Sequence, residues 1–360
     1  MSPAVRIDQI IPAIIEHDAV SNHTFEAERL LRGLGYQSDI YASIIGPGTE
    51  GRVRPLAELG ERADDGLWLL YQCSIGSPAA TVFRDHPARK LLDYHNITPA
   101  PLVERWLPPL AEESRLGRTQ LRELAPVVEA ALADSPYNKA ELDAVGYRRT
   151  VVAPILVEAG NLSAEPDAGV LRRLRAKKVT TWLFVGQIAP HKAQHDIVRA
   201  FACYRQVYDP TARLCLVGRE MGSAYRDAIR RFTSAIGLLD AVEMPGSVPA
   251  PALAAYYAAS DVFVCLSEHE GFCAPIIEAM ARSLPVVAYS AAAVPATVGE
   301  AGVLLGSKEP ELVAAAVHEI VTNGTERARL ERSGQEQAAR SSLDAARRAF
   351  VDAITSAVAD

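Results

Sequence analysis

No run of apolar residues in this chain approaches the roughly 20 that a helix needs to cross a bilayer, and the N-terminus lacks the basic start and long apolar segment of a secretory leader. Both absences make a cytoplasmic protein the expectation. Cysteine is scarce: the five residues (Cys73, Cys203, Cys215, Cys265 and Cys273) include no C-x-x-C pair. An odd, scattered set in mostly apolar segments predicts reduced core thiols in place of disulfides or a zinc site. Cys273 alone falls in a loop, where it is expected to pack as a compact side chain near backbone amides. G-x-S-x-G, the Walker loop and H-E-x-x-H are missing, and no G-x-G-x-x-G follows the first apolar strand. Hydrolase, P-loop, zinc-protease and nicotinamide chemistries thereby lose their usual signatures. Basic residues are not in excess either: 37 Lys and Arg against 44 Asp and Glu give a net charge of −7, which argues against a nucleic-acid partner.

What is present is a globular composition, 49% hydrophobic and 22% charged over 360 residues, enough for two domains of about 150 residues each. Short apolar strands alternate with amphipathic helices, the pattern of a parallel α/β sheet. In the first half, strands are expected over Val5–Ile11, Tyr36–Ala42, Leu67–Gln72, Lys90–Tyr94 and Arg149–Ile155. Helices are expected over Thr24–Leu34, Pro101–Trp106 and Arg118–Ala131, with a turn at Asp134–Asn138. The polar stretch Glu158–Gly169 reads as the linker. A second series starts at Thr180 and repeats at Arg213, near Val242, at Asp261 and at Pro285.

The segment Ser267–Met280 (SEHEGFCAPIIEAM) carries the most chemistry, since Glu270 and Glu278 flank a small-residue loop that enters a helix. Pro275 suits the first turn of that helix, where its fixed φ fits and its missing N–H is not needed. The backbone amides of Gly271, Phe272, Cys273 and Ala274, with the helix dipole, form a site for an anion, and the two carboxylates accept hydrogen bonds from hydroxyls. A sugar nucleotide combines both features. In Phe184–Phe201 (FVGQIAPHKAQHDIVRAF), Lys192 falls at or just before the first turn of a helix, where a cation opposes the dipole unless an anion lies between them. His191 and His195 fit the exposed side of that helix start. The first strand-to-helix loop, Glu16–Thr24, carries Asp18, Ser21 and Asn22, which suit an N-capping turn built on Ser21 or Asn22.

Glu270 and Glu278 with their spacing resemble the E-x7-E signature of retaining glycosyltransferases of the GT-B type, family 4. Ala281–Ala288 and Gly299–Leu305 resemble that family's following loop, strand and glycine turn. The resemblance implies GT-B architecture, an α/β fold of two Rossmann-like domains facing a central cleft. Residues 1–160 would form an acceptor-side domain and 170–340 a nucleotide-sugar-binding domain, with the last helix, 342–358, packing back on the first. It also implies that Lys192 holds a diphosphate, that Glu278 holds ribose hydroxyls, and that Glu270 orients the sugar. His95, in YHNITP directly after a strand, takes the place of a histidine that contacts the donor sugar.

The sequence departs from the family at Gln187, where an arginine is usual, and loses one forked, charged phosphate contact there. Arg219, after the strand in LCLVGRE, is the candidate substitute. Ser283 and Ala296 are milder departures, and the first loop, which the resemblance places at the cleft, lacks the family's glycines and offers Asp18, Ser21 and Asn22 for acceptor or sugar contact instead. The implied activity is metal-independent, retaining transfer from a nucleoside diphosphate sugar to a hydroxyl acceptor: a saccharide, a lipid-linked sugar or a natural product. No cofactor is expected, the absence of a D-x-D triplet agrees with no divalent metal, and membrane association is at most peripheral. A non-catalytic GT-B partner, an epimerase and a glycan phosphorylase are the alternatives.

Overall fold

The computed structural model describes residues 5–15, 18–60, 66–156 and 164–359. The chain divides into two compact units, one comprising residues 1–100, 109–157 and 343–360, the other 101–108 and 158–342.

The first unit is a seven-stranded parallel sheet: β1 (Arg6–Ile14), β2 (Ile40–Ile45), β3 (Arg54–Pro55), β4 (Leu67–Cys73), β5 (Arg89–Tyr94), β6 (Ala130–Ala133) and β7 (Thr150–Val152), in the order β3-β2-β1-β4-β5-β6-β7. Its central strands read as near-continuous apolar runs because both faces are covered, as a parallel sheet requires. Six of the seven residues of β4 are buried. The helices between strands are α1 (Ala19–Gly33), α2 (Pro78–Asp85), α3 (Pro108–Leu124) and α4 (Pro136–Val145).

Several expectations for this unit need correction. The helix expected from Thr24 begins at Ala19, because Asp18 caps it by accepting from the Ser21 amide at 3.1 Å. The helix expected over Arg118–Ala131 ends at Leu124, and Ala130–Ala133 is strand β6. Alanine and leucine favour helix, but this run lies fully buried between β5 and β7, and burial in the sheet overrides propensity. The turn expected at Asp134–Asn138 is the entry to α4, with Ser135 as its cap and Pro136 in its first turn. The helix expected at Pro101–Trp106 is a single 3-10 turn at Ala100–Leu102.

The second unit is a six-stranded parallel sheet: β8 (Thr181–Val185), β9 (Arg213–Val217), β10 (Val242–Gly246), β11 (Val262–Cys265), β12 (Val286–Tyr289) and β13 (Val303–Leu305), in the order β10-β9-β8-β11-β12-β13. Helices α5 (Ala168–Arg175), α6 (Gln194–Val207), α7 (Ser223–Ala235), α8 (Ala250–Ala258), α9 (Ala274–Ala281), α10 (Val294–Val298), α11 (Pro310–Thr322) and α12 (Gly324–Arg340) connect and cover the strands. The order reverses at β8, so β8 and β11 diverge to opposite sides. That is the switch point where an open α/β sheet binds ligands at its carboxyl edge. Of the expected linker, residues 158–163 lie outside the described residues, and α5 already starts at Ala168.

The closing helix α13 (Leu343–Ala359) returns to the first unit. Its Phe350 and Ile354 are fully buried beside Ile7, Leu31 and Leu70, and Arg347 Nε bonds Glu26 on α1 at 2.7 Å.

Candidate donor site

In the second unit, β8 and β11 end side by side, and the loop after each supplies one half of an ion pair. Lys192 closes the 3-10 turn Pro190–Lys192, and Ala193 then takes a left-handed φ of 51° to start α6. The Glu268 amide donates to the His191 carbonyl at 2.8 Å, which ties the two loops together. Lys192 Nζ consequently meets Glu270 Oε2 at 2.6 Å, with the side chains 17% and 7% exposed. Burial opposes the charge on Lys192, yet Glu270 outweighs it and holds the ammonium above its ordinary pKa. Glu270 is itself anchored, because its carbonyl accepts from the Ala293 amide at 3.2 Å.

Cys273 precedes α9 with φ 70°, a left-handed residue that offers the helix no side-chain cap. Successive amides around such a residue form a concave anion site at a helix N-terminus. The Thr297 hydroxyl bonds the Phe272 carbonyl and fixes the loop from α10. Glu278, one turn into α9, is buried, and the Tyr257 hydroxyl from α8 donates to its Oε2 at 2.7 Å. Tyr257 lay outside the sequence-based set: nothing in the sequence links a helix tyrosine to an acid 21 residues on.

Gln187 and Arg219 sit at the ends of β8 and β9. The Ile188 amide donates to the Arg219 carbonyl at 2.8 Å, and the Gln187 carbonyl accepts from Gln194 Nε2 at 2.8 Å. The Arg219 side chain is exposed and lines a cavity of about 340 Å³ with Gly218, Glu220, Arg226, Met244 and Ser247. A Cβ on Gly218 would stand 1.9 Å from the Gly186 carbonyl oxygen, so the two strand ends approach only because that residue is glycine. His191 departs from expectation. Its side chain is buried, its Nδ1 has no hydrogen-bond partner, and burial followed by the neighbouring Lys192 lowers its pKa well below the usual value.

The remaining sequence-based candidates belong to the first unit. Asp18 caps α1, the Ser21 hydroxyl accepts from the Ile15 amide at 2.9 Å, and Asn22 is exposed on the helix. Glu16 and His17 lie outside the described residues. His95 follows β5 with its imidazole fully buried. Its Nδ1 is 3.1 Å from both oxygens of Asp134, and its Nε2 is 2.6 Å from Gln72 Oε1.

The protonation of His95 follows from a chain of amides. Gln9 Nε2 donates to the Thr24 carbonyl at 3.1 Å, and Gln72 Nε2 donates to Gln9 Oε1 at 2.8 Å. A carbonyl only accepts, so both amide orientations are fixed and Gln72 presents its oxygen to His95. With a carboxylate on the other nitrogen, both ring nitrogens carry protons. Burial lowers the His95 pKa, but Asp134 and then Asp93 overcome this and raise it to about 9. His23 is the opposite case: its Nδ1 accepts from the Leu156 amide at 2.8 Å, so Nε2 holds the proton and donates to Asp93 Oδ2 at 2.9 Å. A metal at His23, Asp93 and His95 would have to displace protons fixed from both sides.

Comparisons with known proteins bear on the fold and on the second unit. Residues 172–337 match the family model for glycosyl transferases group 1. The D-inositol 3-phosphate glycosyltransferase of Thermomonospora curvata is 33% identical over 41% of this chain and 36% of its own length. That of Thermobifida fusca is 30% identical over 51% of this chain and 45% of its own. The chain thus matches less than half the length of either relative. Among solved structures, sucrose-phosphate synthase from Thermosynechococcus elongatus superposes with a TM-score of 0.75 at 19% identity, over 98% of this chain and 99% of that one. Anabaena HepE, solved in complex with UDP-glucose, gives 0.74 at 17% identity over 97% and 99%. The two Rossmann-like units are those of the GT-B fold, and residues 172–337 of the second unit are similar to the glycosyl transferases group 1.

Proposed function

We propose that this protein transfers a glycosyl group from a nucleoside diphosphate sugar to a hydroxyl acceptor, without a metal and with retention of anomeric configuration. The observation that carries the reading is the largely buried pair at 2.6 Å between Lys192 and Glu270, the latter on the loop that leads into α9, the helix that carries Glu278 one turn in. In the absence of donor, Glu270 neutralises the ammonium. A diphosphate takes its place, and Glu270 is released to accept hydrogen bonds from the sugar hydroxyls. Lys192 and the amides of Gly271–Ala274 then face the leaving diphosphate, whose charge grows as the anomeric bond breaks. They therefore stabilise the transition state more than the bound substrate.

Glu278, oriented by Tyr257, holds ribose hydroxyls. The cavity at Arg219 accommodates the nucleoside end, with Arg219 as the cation that Gln187 does not provide. Same-face attack, with a leaving-phosphate oxygen taking the acceptor proton, accounts for retention with no carboxylate placed as nucleophile. The expected contact of His95 with the donor sugar is not part of this reading: its ring is fully buried and both N–H groups are spent on Asp134 and Gln72, so it acts as a fixed charge within the first unit and not as a base. The fold neighbour solved with UDP-glucose makes a uridine sugar the first donor to try.

A panel of nucleoside diphosphate sugars, screened by calorimetry in the presence of a chelator and followed by nucleotide release with candidate acceptors, tests the reading. Binding and release with chelator present support it. A protein that binds no donor contradicts it, and one that binds without ever releasing diphosphate is a non-catalytic partner instead.

A further inference from the structure

Two of the five cysteines meet inside the donor loop. Cys265 ends β11 and Cys273 precedes α9, and their sulfurs are 3.9 Å apart with both side chains buried. Glu270 lies on the seven-residue connection between them. The same group of side chains adjoins Lys192, whose ammonium interacts with both thiols. Cys265 is further placed 3.3 Å from the Ser267 hydroxyl. No disulfide is present, and 3.9 Å is contact distance, whereas a disulfide needs about 2.05 Å. Closing that gap requires a side-chain rotation and a small approach of β11 and the start of α9.

We infer that Cys265 and Cys273 form a redox-responsive pair whose disulfide locks the donor loop and weakens nucleotide binding. The control of binding rests on the donor-site reading above, while formation of the disulfide does not.

The oxidant is a hydroperoxide. The Cys265 thiolate attacks one peroxide oxygen, so that an S–O bond forms, the O–O bond breaks, and the departing hydroxide takes a proton to leave as water. The Cys273 thiol then attacks the resulting sulfenic sulfur, its proton passing to the sulfenic oxygen. The S–S bond forms, and the sulfenic oxygen leaves as a second water with the remaining proton. Two thiols are oxidised and one peroxide is reduced to two waters. The hydrogen bond from Cys273, opposed by burial, leaves the Cys265 thiol below its ordinary pKa, whereas that same hydrogen bond and then burial hold Cys273 well above its own, so Cys265 is the attacking thiolate and Cys273 keeps its proton. Cys273 holds a left-handed φ of 70° at the mouth of the anion site, so drawing its sulfur toward β11 displaces the amides meant for the diphosphate. It also tethers Glu270 from both sides.

The test treats the whole protein with hydrogen peroxide, then with an alkylating reagent, and cleaves it at Glu268 and Glu270. Fragments carrying Cys265 and Cys273 that stay joined until a reductant is added establish the pair. Both cysteines recovered alkylated would overturn it. Binding of a nucleoside diphosphate is measured in parallel and is expected to be about tenfold weaker in the oxidised protein, with recovery on reduction. Cys265→Ser should abolish this sensitivity and Cys203→Ser should keep it. A disulfide that leaves nucleotide affinity unchanged overturns the control. Reduced protein that binds no nucleotide overturns the donor-site reading and the control together, and the fragment analysis still reports the disulfide.

Discussion

Lys192 and Glu270 are buried enough that each depends on the other. Removing the carboxylate takes the counter-charge from a buried ammonium, and removing the ammonium takes it from a buried carboxylate; breaking a buried pair on one side costs about 3–5 kcal/mol. Lys192→Ala is therefore expected to lose donor binding and to lower stability, as read by calorimetry and by denaturant melts. Glu270→Ala should instead reduce turnover much more than nucleotide affinity, because the freed ammonium still meets the diphosphate. Glu278→Ala should weaken nucleotide binding and leave the Tyr257 hydroxyl with the more distant Pro275 carbonyl at 3.5 Å, at about 1–3 kcal/mol of stability. Equal effects of Glu270→Ala and Glu278→Ala on affinity and turnover would mean that their roles are misassigned.

His95 adds a pH dependence of known sign. Its pKa rises from 6.5 to about 9 on folding, so its contribution is complete below 6.5 and is lost as the pH climbs through 9. Unfolding free energy measured across that window should fall with rising pH by up to about 1.4 kcal/mol per unit. Asp134→Asn keeps an acceptor for Nδ1 but removes the charge, and should flatten the slope. An unchanged slope in Asp134→Asn would contradict the imidazolium.

Among the elements, the meeting of β8 and β9 is the tightest constraint near the site. Gly218 has φ 146°, and any side chain there runs into the Gly186 carbonyl. Gly218→Ala should destabilise the second unit by about 2–4 kcal/mol through backbone strain and should distort the cavity at Arg219, which thermal melts and nucleotide titration would both detect. The strands of this unit were legible in the sequence because WLFV, LCLV and VFVC are unbroken apolar runs of strand length. Strand β6 was not: AALA carries no β-branched residue, and only its place between β5 and β7 makes it a strand. Likewise, the E-x7-E spacing and Lys192 were legible as a candidate site because backbone chemistry at a helix start is local. The partners that define each role were not. Tyr257 reaches Glu278, Gln72 reaches His95, and Cys265 reaches Cys273 through the fold, and periodicity holds no record of such contacts.

At the scale of the whole molecule, the chain returns to its first unit at the end. Helix α13 buries Phe350 and Ile354 against a core made by β1, α1 and β4, so the first unit is incomplete without residues 343–360. Phe350→Ala should cost about 3–5 kcal/mol, felt in the first unit, with the second unit's melting transition unchanged. Joint loss of both transitions would show that the units do not fold independently.

The central claim is that Lys192, Glu270 and Glu278 converge on one nucleoside diphosphate sugar. Calorimetric titration of the best donor into the wild type, Lys192→Ala and Glu278→Ala tests it most directly. The account predicts one donor bound per chain by the wild type, no detectable binding to Lys192→Ala, and weakened binding to Glu278→Ala. Donor binding that is equally strong in all three proteins would contradict it.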